Sequence, residues 1–122
     1  MSIENIYVPE IKTEELLDLL KTIEWKNRYA FSFNGKNFQL LIIPKEDLAE
    51  DKESYGEEAE FHISTEINGF DIYLHDTIPY EIRNRILFHE ILEADLIKQG
   101  FSDTAHEITI VEEERVFGKR NQ

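Results

Sequence analysis

The stretch from Ile78 to Gly100 constrains this chain more than any other, because it reads as one long helix with a histidine and two glutamates on the side it should bury. At helical spacing Ile82, Ile86, His89, Glu93, Leu96 and Ile97 fall on one stripe, and Glu90 lies beside it in the row of Ile86 and Ile97. Carboxylates survive burial only when paired, neutralised or bound to a metal. This helix face therefore meets a polar partner or lines a cleft.

Upstream of the helix the period is two. Tyr29, Phe31 and Phe33 alternate, Asn34-Gly35 follows, and Phe38, Leu40 and Ile42 alternate again before Pro44. Asn-Gly between apolar runs predicts a tight hairpin, because both turn positions need positive φ. The same logic applied to Phe61, Ile63, Thr65 and Ile67, then Asn68-Gly69, then Phe70, Ile72 and Leu74 predicts a second hairpin. Tyr73 and His75 are expected to face away from the apolar side, and His62 and His75 read as ordinary strand-face residues. Trp25, Tyr29, Phe31 and Phe33 read as core. The acidic run from Glu46 to Glu60 reads as a loop or short surface helix between the hairpins. It lacks the Asp-x-Asp-x-Asp-Gly spacing of a calcium loop.

Two further helices bracket this arrangement. Thr13 is expected to cap the first, with Glu14 and Glu15 at its positive end and Leu16, Leu17, Leu20 and Ile23 at helical spacing. Thr104, with Glu107 three places on, predicts a capping box for the last, which carries His106, Ile110, Glu113 and Phe117 on one stripe. The expected fold is α+β: a four-stranded, mainly antiparallel sheet with an N-terminal helix and a C-terminal antiparallel helix pair, in a single domain over residues 1–122.

Composition narrows the chemistry. A net charge of -13 repels nucleic acid and anionic membranes, and no run of about 18 apolar residues is present to span a bilayer. The start Met1-Ser2-Ile3-Glu4-Asn5 lacks a secretory pattern, so a cytoplasmic location is expected. Without cysteine, any metal must sit on histidine and carboxylate ligands. Neither a Gly-x-Ser-x-Gly elbow nor a phosphate-cradling glycine run occurs.

The short connection at Gly100 makes the last two helices neighbours, so their levels can be compared. At roughly 1.5 Å of rise per residue, Glu93 and His106 stand about 10 Å and about 9 Å from the turn, and His89 and Glu113 about 16 Å and about 20 Å. A zinc site with an open position needs three protein ligands, which His89, Glu93 and His106 supply, with Glu113 as a possible fourth. The other reading of the same residues is a metal-free network in which His89 hydrogen-bonds Glu93 or Glu113 across the helix pair.

With its preceding strand, the segment Ile86-Leu87-Phe88-His89-Glu90-Ile91-Leu92-Glu93 resembles the zincin-like metallopeptidases, in particular a minimal gluzincin-like form, over roughly residues 60–117. That family carries His-Glu-x-x-His on this helix. The resemblance implies a zincin-like fold, with His89 as first zinc ligand and Glu90 as general base toward an activated water. Glu93 stands where the family has its second histidine, and would ligate through oxygen. The third ligand of the glutamate-type zincins comes from the next helix, a role open to Glu113 or Glu112, with His106 as an addition or substitute. The implied function is a metal-dependent hydrolase, a small zinc peptidase acting on a peptide or protein substrate. The alternative is a non-catalytic module of the same shape, with a structural metal or none, that binds a basic protein partner through its acidic surface.

Overall fold

The computed structural model describes residues 8–44, 59–63 and 69–119. In chain order these form α1 (Thr13–Leu20), β1 (Arg28–Phe33), β2 (Lys36–Ile43), β3 (Ala59–Ile63), β4 (Gly69–His75), α2 (Tyr80–Lys98) and α3 (Ala105–Phe117). The fold is mixed α+β, and its sheet has the order β1-β2-β4-β3.

The first hairpin is as its Asn-Gly signal predicts. Phe33 pairs with Lys36, and Asn34 and Gly35 take φ values of 50° and 76°. The second is antiparallel in a different register. A turn on Asn68-Gly69 would set Ile67 opposite Phe70, whereas Phe70 pairs with Ile63 and Gly69 already belongs to β4, opposite Asn37. The slip is by an even number of residues, so it leaves the strand's alternation unchanged, and periodicity does not distinguish the two registers. Between the hairpins, β2 and β4 run parallel. Strand direction leaves no mark on a period of two. The acidic run as far as Glu58, and Thr65, Ile67 and Asn68, lie outside the described residues, while Glu60 is part of β3 rather than of a loop.

One core joins the layers: Leu16 and Leu20 of α1, Phe38, Leu40, Phe70, Ile72 and Leu74 of the sheet, and Leu87, Phe88, Ile91, Leu92 and Leu96 of α2. Phe31, Phe38 and Phe70 stack across three adjacent strands at centroid distances of 5.3 and 5.1 Å. The buried face of α2 is rotated from the expected stripe, since Ile82 is 40% exposed whereas Phe88 and Ile91 are fully enclosed. Apolar residues run almost all round this helix, so its period defines the buried side poorly. His75 is buried, not on a solvent face, and its Nδ1 meets the Thr77 hydroxyl at 2.8 Å in the turn leading to α2.

Neither predicted threonine cap forms. Thr13 is the first residue of α1, and its hydroxyl donates to Glu112 of α3. Thr104 makes no side-chain capping bond. The C-terminus of α2 follows its signal: Gly100 has φ 104°, its N–H reaches the Ile97 carbonyl, and the Phe101 N–H reaches that of Leu96, a Schellman turn.

Near that end a buried carboxylate ties α2 to the first hairpin. Asp95, fully enclosed, pairs with Lys36 Nζ at 2.7 Å and accepts from Asn34 at 3.2 Å and Gln99 at 3.0 Å. Gln99 in turn bonds the backbone of Glu10 in both directions. Removing one partner of a buried pair strands the other charge. Lys36→Met should therefore cost about 3 kcal/mol in urea unfolding, and adding Asp95→Leu should recover much of that loss. Additive losses in the double variant would show the pair to be uncoupled.

Candidate metal centre

Helices α2 and α3 lie antiparallel, and their matched levels are those calculated from helical rise. Glu93 Oε1 lies 3.3 Å from His106 Nδ1, and Glu113 Oε1 lies 2.8 Å from His89 Nδ1. Within α2, spacing of one turn brings His89 Nε2 to 3.0 Å from Glu93 Oε1. The two imidazole rings meet edge to face at 5.3 Å. His89, Glu93 and His106 each offer a ligand atom, and these atoms all lie within 4.8 Å of one another.

The donor set suits a zinc-like ion: two imidazole nitrogens and one carboxylate oxygen, without a soft thiolate. Ligands about 2 Å from a tetrahedral ion stand roughly 3.3 Å apart, so modest side-chain closure would complete the coordination. His106 lies at the open side, with its side chain 59% exposed, whereas His89 is 13% exposed. The cluster therefore has a fixed half on α2 and an accessible half on α3.

Glu113 takes a different place from the other expected ligands. Its side chain, 1% exposed, accepts from Arg85 Nε on one oxygen and from His89 Nδ1 on the other. A carboxylate only accepts, so both ring nitrogens of His89 donate here, Nδ1 to Glu113 and Nε2 to Glu93, and the ring is held in its charged form. This is the geometry in which an outer carboxylate fixes the tautomer and direction of a ligating histidine. Arg85 also donates to the Gly118 carbonyl, which fastens the end of α3. Glu112 is directed elsewhere, toward Arg115 and Thr13, and Arg115 holds its carboxyl below the ordinary value. Glu90 is half-buried on α2, outside the group of three, and its charge acts on His89.

Arg85 was not among the expected residues. Its signal was available, since it lies one turn before His89 on the same helix face. Comparison with protein-family models, with curated proteins and with solved structures gives no match.

Burial alone would depress the His89 pKa, but the bonds to Glu93 and Glu113 and the charge of Glu90 outweigh it, so the value is raised. For Glu93, burial works upward and is outweighed by the bonds from His89 and His106, so its value is lowered. The raised histidine stabilises the fold fully below its unfolded value of 6.5, and that contribution fades as pH rises through the folded value. The lowered carboxyl contributes above its unfolded value of 4.5 and is lost as pH falls through the folded one. In chelator, the pair should stabilise most between about pH 4.5 and 6.5. His89→Gln should flatten the decline on the alkaline side in melts across pH. An unchanged profile would contradict the charged pair.

Proposed function

We propose that this protein is a small metal-dependent hydrolase, with a zinc-type ion held by His89, Glu93 and His106 and with Glu90 as general base. The convergence of these three donors from two helices carries the reading. Three protein ligands leave a position for water or substrate, the pattern of catalytic rather than structural zinc. When bound, such an ion supplies Lewis acidity toward a carbonyl and lowers the pKa of water.

The chain's own residues divide the remaining work. Glu113 orients His89, and Arg85 balances the Glu113 charge. Glu90, at the next position on α2, takes the proton of the attacking water and returns it to the leaving amine. Support for a peptide substrate comes from β3, which lies against α2 and is an edge strand of the sheet among the described residues. A strand leading into a helix with His89-Glu90-x-x-Glu93 also supports the zincin-like resemblance.

One observation favours the second reading, a non-catalytic module. Both ring nitrogens of His89 already meet carboxylate oxygens, so the network is complete without an ion. The acidic surface would then engage a basic protein partner.

Elemental analysis separates these readings. The purified protein should hold near-stoichiometric zinc, and both His89→Ala and His106→Ala should lose it. Glu90→Gln should keep the ion and lose at least about 100-fold in peptide hydrolysis. A parent protein that takes up no zinc when supplied with it would leave only the metal-free network.

A further inference from the structure

Among the described residues, one buried side-chain polar atom has no hydrogen-bond partner: the hydroxyl of Thr109, a residue with no exposed surface. A buried hydroxyl without a partner costs stability, and valine has nearly the same shape without that cost. A helical threonine commonly returns its hydroxyl to the carbonyl one turn back, and Thr109 does not.

Its position is informative. Thr109 lies on α3 between His106, which meets Glu93, and Glu113, which meets His89. Helical side chains lean toward the N-terminus, which carries the Thr109 hydroxyl toward the level where His106 meets Glu93. Both hydrogen bonds of the Glu93 side chain fall on Oε1, and neither uses Oε2. At roughly 1.5 Å of rise per residue Thr109 stands about 14 Å from the turn at Gly100 and Glu93 about 10 Å, so the orphaned donor and the unused acceptor belong to residues at neighbouring levels of the helix pair. Departures from local stability rules are expected where a site needs a group for another purpose.

We propose that Thr109 is a positioning residue of the metal centre, whose hydroxyl donates to Glu93 and fixes that carboxylate as a ligand. The inference rests on the metal reading above. Glu93 Oε1 is turned to the two histidines. With those nitrogens taken by an ion, the carboxylate would be released from them and could turn its second oxygen toward Thr109.

The test compares zinc affinity and metal-free melting in the parent, Thr109→Val and Thr109→Ser, with Thr109→Ala as a second hydroxyl-free variant should the valine protein not fold. Metal-free Thr109→Val should melt about 2 to 4 °C above the parent, because the orphaned hydroxyl is gone. It should bind zinc about ten-fold more weakly, as loss of an outer-shell partner does. Thr109→Ser should restore the affinity, and the visible spectrum of cobalt(II)-loaded protein should change in the valine variant and not in the serine one. Parent-like zinc affinity in the hydroxyl-free variants would overturn the positioning role and leave the metal centre standing. A parent that binds neither zinc nor cobalt would overturn both.

Discussion

The arrangement of α2 and α3 depends on a carboxylate withdrawn almost wholly from water. Glu113 is tolerable in that position only because Arg85 and His89 of the other helix supply donors to its two oxygens. Contacts between apolar side chains would permit sliding along the seam, since one methyl group replaces another at small cost. A desolvated charge with directional partners permits one register. That register sets His106 beside Glu93, so those two meet through an interaction that neither of them makes.

Much of this was legible in the chain. Helical rise measured from Gly100 placed Glu93 level with His106 and His89 close to Glu113, because a short connection leaves two antiparallel helices little freedom. The Asn34-Gly35 turn was equally readable, since its dihedral demand is local. The second hairpin was not. Its register depends on β4 pairing with β2, a contact between segments far apart in sequence, and two registers differing by an even slip share one alternation. Asp95 was passed over because its partners, Lys36 and Asn34, come from the first hairpin and no spacing within α2 announces them. Glu113 was placed correctly along its helix, whereas its role as the orienter of His89 follows from side-chain direction, which spacing does not give.

The same atoms enter both proposed readings. Nε2 of His89 faces Glu93 across a proton, and on the metal reading that nitrogen is the one an ion would take. On the proposed reading, uptake of an ion would exchange that proton for a metal at a site whose ring is already aimed. Glu113 would lower the cost of either state by holding the opposite nitrogen. The exposed ring of His106 gives the cluster its access, and the buried ring of His89 gives it its geometry.

The Schellman turn at Gly100 bears on the order in which the molecule assembles. It closes a loop of only a few residues, and every donor of the cluster comes from the two helices it joins. Closing so short a loop costs little chain entropy, whereas β2 and β4 must find each other across a long intervening segment. The helix hairpin is thus the part of the chain able to order first, and the donors of the cluster come together with it. The centre is local in sequence and its scaffold is not, so the site can serve as a seed around which the slower sheet completes the core.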